Sequence, residues 1–340
     1  MSYFALCFVA LAPPLLLFLR PEGALYWLDG SLGWSTSLSS YAALLWPLVI
    51  LFLNRRHFPR RAWRALRDGA ARTGLVLVIL LHCVALFAPL LETHPPAALG
   101  DSITERFQAP SSEHWMGTDL LGRDLFSRVI EGSRVSLTIG VLTVAVHLLL
   151  GVFVGGVAGY AGGRLDGLLM RFTDLLLAFP RIFLLLAIVA LFQPSSWMII
   201  LVLGATGWMG VARVMRGEVL RIRGMEWIEA ARALGIPRWR ILLRHILPMA
   251  ASILVAQAAL RIGNVILTES FLSFLGLGVT DPDVSWGMLI RGGRAAMLGA
   301  WWVSTFPGLA ILLTVVAYNL LGDGLRDAYD PKLAAEGGGA

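Results

Sequence analysis

Side chains that could do covalent chemistry are few and scattered in this sequence. Its six histidines stand at positions 57, 82, 94, 114, 147 and 245, with no His-Glu-x-x-His pair, and there is no Gly-x-Ser-x-Gly. Cys7 and Cys83 lie inside apolar runs and read as small buried hydrophobes, without metal-ligand spacing or a disulfide framework. The single lysine, Lys332, is followed by Leu333, so no Gly-Lys-Ser/Thr phosphate loop exists here. No catalytic residue, no metal site and no cofactor bound by this chain are expected. The sequence does carry charge inside apolar surroundings. Arg261 and Glu269 share one apolar run with Asn264, Thr268, Ser270 and Ser273, and Arg181 follows Pro180 in another. A charge at mid-membrane costs roughly 2.5–3.5 kcal/mol on insertion scales, so such residues face a cavity or a partner. Arg261 lies about 12 residues into its run, roughly 18 Å at 1.5 Å per residue, which is mid-bilayer. Glu269 is about 80° further around the helix, so the two need not pair. His82 and His147 also lie within apolar runs and read as neutral, hydrogen-bonded histidines.

The elements that hold these residues are legible in the composition. The 340-residue chain is 57% hydrophobic and 15% charged, against about 45–50% and about 25% in soluble domains. Apolar segments fall at 3–19, 41–53, 74–91, 135–160, 172–192, 197–214, 249–275 and 301–321. A span needs about 20 mainly apolar residues and must satisfy its backbone internally, so these are predicted helices. Segment 41–53 is short and either begins near Thr36 or lies at the interface. Segment 3–19 lacks a basic leader and carries Pro13-Pro14 in its middle, so it reads as a retained membrane segment. The expected fold is an all-α polytopic bundle of about eight transmembrane helices. Basic residues set its orientation: 19 fall in one alternating set of loops and ends and 7 in the other. That split predicts both termini and the Arg-rich loops in the cytoplasm. Gly151, Gly155, Gly159 and Gly163 recur every four residues and predict a close helix-packing seam. Trp197, Trp301 and Trp302 sit near segment ends as interface anchors. No inverted repeat is visible, which argues against a secondary transporter. A net charge of +6 in so apolar a chain does not imply a nucleic-acid partner.

The loop at 226–248 has the local chemistry of helix, turn, helix. Glu229, Ala230, Ala231, Arg232, Ala233 and Leu234 favour helix, Gly235 suits the left-handed position that ends one, Pro237 suits the first position of the next, and Pro248 marks entry to the following span. On residue chemistry alone this hairpin is either a docking surface or an amphipathic loop held to anionic lipid. Glu229-Ala230-Ala231, Gly235 and Ile246-Leu247-Pro248 resemble the EAA motif of permease subunits of ABC importers, although His245 stands where that family has an apolar residue. The resemblance implies a coupling helix that sits in a cleft of an ATPase subunit, with Glu229, Ala230, Ala231, Arg232, Gly235, Pro237 and Pro248 as its residues.

Other motifs narrow the resemblance. His114-Trp-Met-Gly-Thr-Asp-Leu-Leu-Gly-Arg-Asp124, Gly132-Ser-Arg-Val-Ser-Leu-Thr-Ile-Gly140, Ser270-Phe-Leu-Ser-Phe-Leu-Gly-Leu-Gly278, Ser285-Trp286-Gly287 and Asn319-Leu-Leu-Gly-Asp-Gly-Leu-Arg-Asp-Ala328 resemble the C-type subunit of the dipeptide/oligopeptide/nickel permease subgroup. The resemblance implies a six-helix importer permease domain over 74–332. Residues 1–73 are then an N-terminal extension with two apolar segments and an Arg-rich cytoplasmic stretch, and 333–340 a disordered tail. Implied partners are a second permease subunit in a heterodimer, two ATPase subunits carrying ATP and magnesium, an extracytoplasmic substrate-binding protein and the lipid bilayer. The implied place is the bacterial inner membrane, and the implied cargo di- or oligopeptides, with nickel or another small peptide-like substrate as the alternative. A polytopic membrane enzyme is the rival from another class. On this reading Arg261, Asn264, Thr268, Glu269 and Ser273 are translocation-path candidates. Arg261 either attracts a peptide carboxylate or is neutralised by the sister subunit. Asp119, Arg123 and Asp124 are outer-vestibule candidates, as a docking surface for the binding protein or as a lid held by local ion pairs.

Overall fold

The computed structural model describes residues 68–100, 104–191 and 195–329. Segments 3–19 and 41–53 and the tail 333–340 lie outside these residues. The described residues are helical, without a β-strand; one isolated bridge joins Thr118 and Asp124. Among the described residues, five helices are long and apolar enough to cross a membrane, and a bent pair raises the number of spans to as many as six.

Helix α1 (Gly69–Leu86) begins where the Asp68 carboxylate accepts a hydrogen bond from the Ala71 N–H. That cap starts it five residues before the predicted 74, and a break at Phe87 sets off the single turn α2 (Ala88–Leu91). Helix α3 (Leu125–Ala161) has 37 residues, about 56 Å at 1.5 Å per residue, longer than a ~30 Å hydrocarbon core. Its first ten residues precede the predicted start at 135. They include Arg128, Glu131 and Arg134, whose polarity hid a helix that Asp124 caps. The predicted span 172–192 is two helices, α4 (Gly163–Ala178) and α5 (Arg181–Val189), bent by 80°. Pro180 causes the break: it has no N–H to donate and drives Phe179 to an extended ψ of 132°. Helix α6 (Ser196–Arg223), capped by Ser195, then runs parallel to α3: Gly151, Gly155 and Gly159 meet Val211, Ala212 and Arg216 in ascending order.

The hairpin follows as α7 (Glu226–Ala233) and the single turn α8 (Arg238–Ile241). A π-helical turn, Leu242–Ile246, leads from α8 directly into α9 (Leu247–Phe274). After a loop come the short α10 (Trp286–Gly293) and the long α11 (Trp302–Tyr329).

Small residues set the closest packing. Cβ atoms added at Gly151 and Gly155 would overlap Val211 and the Ala212 carbonyl of α6, and one at Gly159 would stand 2.9 Å from the Arg216 carbonyl. These three glycines are therefore the α3–α6 seam. Gly163 is not part of it, having open space around it beyond the Gly162 turn. Gly74 does the same for α1 against α11, where a Cβ would lie 2.6 Å from the Leu321 nitrogen. Buried apolar side chains form three main cores. One, around Leu125, Trp286 and Trp302, joins α1, α10, α11 and the start of α3. The second, around Ile139, Leu185 and Leu203, lies at mid-bundle. The third, around Val219, Ile228, Ile241 and Ile246, fixes the hairpin to the end of α6.

Candidate functional site

The hairpin turns on Gly235. Its φ of +75° is the left-handed conformation that a side chain disfavours. The Gly235 N–H donates to the Arg232 carbonyl and the Ile236 N–H to the Ala231 carbonyl, the paired closure that satisfies a helix's last carbonyls. Pro237, predicted at the first helical position, stands instead at the N-cap of α8, one position before its first residue Arg238. Ile228, Ile241 and Ile246 are fully buried and tether the hairpin. Its outer face carries Glu229, Ala230, Arg232, Ala233 and Gly235, all exposed. Leu234 is 82% exposed and Trp239 61%, so the most exposed side chains of this polar turn include two large apolar ones. Ala231 and Pro248 are half-buried and face the bundle side. His245, where the resemblance has an apolar residue, packs edge-on to Trp227 with ring centroids 6.0 Å apart. Many arginines at this end are held internally. Arg216 makes two hydrogen bonds to the Asp166 carboxylate (2.6 and 2.7 Å), which keep that site's geometry fixed, and Arg223 donates to the Tyr160 carbonyl.

At the opposite end, the loop over 104–124 forms a closed cap. Asp119 accepts from the Leu121 and Arg123 N–H groups and from Arg123 Nε at 2.8 Å, and Arg128 Nε lies 3.5 Å from it. Asp281 reaches Arg123 from the loop after α9 at 3.2 Å. Asp124 caps α3 by accepting from the Ser127 N–H and Oγ, while its other oxygen takes His114 Nδ1 at 3.0 Å. Burial opposes the Asp124 charge, but these bonds from Ser127 and His114, with His94 nearby, hold its carboxyl below the ordinary value. Asp119 and Arg123 thus share one ion-pair cluster with Arg128 and Asp281, while Asp124 belongs to a second group with Ser127, Thr93 and His114. His94, His114 and Asp124 offer ligand atoms within 4.8 Å of one another, a grouping their sequence spacing does not reveal. Asp124 is already committed there to Ser127 and Thr93. Two tryptophans lock the cap to the bundle. Trp286 Nε1 donates to the Val129 carbonyl at 2.9 Å and Trp302 Nε1 to that of Thr118 at 3.3 Å. Trp286 sits in the Ser-Trp-Gly motif, and Gly132 of α3 leaves room for its ring.

Within the bundle the intramembrane candidates divide between two faces of α9. Arg261, Asn264 and Thr268 lie within a 60° sector at 100° per residue, and Asn264 is exposed. Glu269 and Ser273 lie on the buried side. There Ser273 Oγ donates to Glu269 at 2.6 Å and Ser285 joins the cluster. His82 bonds the Val78 carbonyl and the Tyr318 hydroxyl, a satisfied core histidine.

Spans packed on glycine seams, one of them broken by proline, with a tethered hairpin at one end and a closed cap at the other, describe a polytopic transport permease. The family model described as "Binding-protein-dependent transport system inner membrane component" matches residues 148–335. The sequence is 41% identical over 278 residues to the dipeptide transport system permease protein DppC of Bacillus subtilis, covering 81% of this chain and 86% of that one. It is 40% identical over 260 residues to the probable D,D-dipeptide transport system permease protein DdpC of Escherichia coli, covering 76% and 87%. It is 42% identical over 275 residues to the glutathione transport system permease protein GsiD of Pectobacterium atrosepticum, covering 81% and 91%. The chain belongs to this family: it is a transmembrane permease of the ABC importer type.

Proposed function

We propose that this chain is one of two permease subunits of a peptide importer in the bacterial inner membrane. Two ATPase subunits, which bind ATP and magnesium, dock on its hairpin from the cytoplasm. A substrate-binding protein delivers di- or oligopeptides to the opposite end. The relatives' names, dipeptide, D,D-dipeptide and glutathione, support the peptide class. The observation that carries the coupling role is the hairpin itself. Its apolar anchors are fully buried, yet Leu234 and Trp239 project beside small residues at Ala230, Ala233 and Gly235. Large apolar side chains held out on a rigid turn, with a low-profile surface next to them, suit insertion into a cleft of another protein.

Gly235→Arg tests this. Nothing lies within 4 Å of a Cβ at this position, so the substitution strains only the turn, by about 1–2 kcal/mol, and adds bulk on the docking face. The expected outcome is a chain that inserts in the membrane at normal levels, no longer retains the ATPase subunits on purification, and supports no uptake. Normal ATPase retention and uptake would overturn the assignment.

A further inference from the structure

The two carboxylate oxygens of Asp124 have different partners. Oδ2 accepts from the Ser127 N–H at 2.8 Å, the Ser127 hydroxyl at 2.7 Å and the Thr93 hydroxyl at 3.2 Å. The helix cap and its neighbours therefore sit on that oxygen alone. Oδ1 faces two histidines. His114 Nδ1 lies 3.0 Å from it and His94 Nδ1 3.9 Å. The longer distance is beyond hydrogen-bonding range, and His94 Nδ1 bonds the neighbouring Thr93 hydroxyl at 3.1 Å instead. Hydrogen bonding to Asp124 thus explains His114, but not a second imidazole turned to the same oxygen. The two rings stand 4.9 Å apart at their centroids, tilted by 37°, and the three ligand atoms lie within 4.8 Å of one another.

Backbone hydrogen bonds fix where each ligand starts. The Thr93 and His94 N–H groups both donate to Ser127 Oγ at 3.1 Å, the same serine that Asp124 caps. The His114 carbonyl accepts from the Ser111 and Gly117 N–H groups, and its own N–H donates to Ser111 Oγ. Hydrogen bonds from outer groups onto a ligating carboxylate are what orient metal ligands, and Oδ2 has three of them. The distances suit one small ion. Nitrogen and oxygen ligands at 2.0–2.2 Å in a tetrahedral arrangement stand about 3.3–3.6 Å apart. The two separations from Oδ1 bracket that spacing, and the two histidine nitrogens need to approach by at most about 1.5 Å. His94 has the freedom to do so, because its side chain is 38% exposed while that of Asp124 is fully buried. Its open edge also gives an ion a way in and leaves a fourth position for water. Two imidazoles with one carboxylate oxygen favour a zinc-like cation over magnesium or calcium, which take oxygen ligands.

We propose that His94, His114 and Asp124 form a three-ligand site for a zinc-like divalent cation at the end of the bundle opposite the hairpin. The ion staples three pieces of chain that meet there: the stretch after α2, the loop over 104–124 and the start of α3. Its binding replaces the His114–Asp124 hydrogen bond and releases that proton. The site goes beyond the importer reading and does not depend on what the cargo is.

The test uses the full-length chain in its purified complex, carrying an affinity tag free of histidine and stripped of metal by a chelator. His94→Gln is the informative variant, because it leaves the Asp124 cap and the His114 bond in place. After incubation with zinc chloride and dialysis, the wild type should retain about one zinc per chain more than His94→Gln. Zinc should raise the wild-type unfolding temperature by a few degrees over the stripped protein. The variant should unfold like the stripped wild type with or without zinc, and magnesium should shift neither. Cobalt in place of zinc should give the visible d–d bands of a tetrahedral site in the wild type. Equal zinc retention by the two proteins, or none by the wild type, would overturn the site. Should His94→Gln fail to assemble, the wild-type cobalt spectrum decides, and a spectrum without tetrahedral bands overturns it. Zinc released from the wild type when ATP is added would mark cargo in passage and overturn the staple.

Discussion

At Glu92, just after α2, burial pushes the carboxyl up to about 7, and the adjoining Glu131 adds to the rise by charge and hydrogen bonding while Arg134 offsets part of it. A raised folded value means that the protonated form is the stabilising one. Its contribution is complete below the ordinary carboxyl range, near pH 4.5, and is lost as pH rises through about 7. Glu92→Gln mimics the protonated group at every pH. The variant should match the wild type in thermal unfolding of the purified complex at about pH 5 and exceed it by a few degrees at about pH 8.5. A constant gap at both pH values would mean that Glu92 does not titrate in this window. The shift was not legible in the sequence, because Glu92 and Glu131 are brought together only by the turn between α2 and the loop before α3. Gly235 is the opposite case. Its left-handed φ was readable from a glycine placed between a run of helix formers and a proline, since the determinant is local.

Elements followed the sequence where hydrophobicity alone decides them. Runs such as 249–275 and 301–321 became α9 and α11 within a few residues, except that α11 continues past 321 to Tyr329. Where another force took over, the sequence reading slipped. The Asp124 cap carries α3 ten residues beyond its apolar part, and Pro180 splits the run 172–192 that reads as a single span. The π turn before α9 joins two elements that read as separate. The α3–α6 seam was visible as a glycine spacing, yet its partner was not, because spacing names a face and not what lies on it. Gly155→Val should break it. Its Cβ would overlap the Ala212 carbonyl and stand 2.9 Å from Met215 Cβ. Backbone cannot yield as a flexible side chain does, so the cost should exceed the roughly 1–3 kcal/mol of ordinary overpacking. Little monodisperse chain should survive solubilisation. Gly167→Ala, on α4 with nothing within 4 Å, should be neutral or stabilising by up to about 1 kcal/mol from helix propensity. Equal yields for both variants would remove the seam's structural role.

For the whole molecule, the family match leaves a fifth of the chain to explain, since the Bacillus subtilis relative aligns with 81% of it. Residues 1–73 hold two apolar segments, an even number, followed by seven arginines between 54 and 73. Removing an even number of spans keeps the next segment's orientation, provided the basic stretch that fixes it remains. Helix α1 runs across the 73/74 boundary, from Gly69 to Leu86. Helix α1 opens on its own cap at Asp68 and closes on α11 through Gly74, so its place in the bundle is secured by residues from 68 onward. Deletion of residues 1–53 should therefore leave a chain that assembles with its partners, and substrate-stimulated ATP hydrolysis by the complex should persist at close to the full-length rate. Measured on the purified complex in liposomes, complete loss of assembly would show instead that the two segments are structural partners of the permease. Loss of stimulation alone, with assembly intact, would assign them to communication between the substrate side and the ATPases.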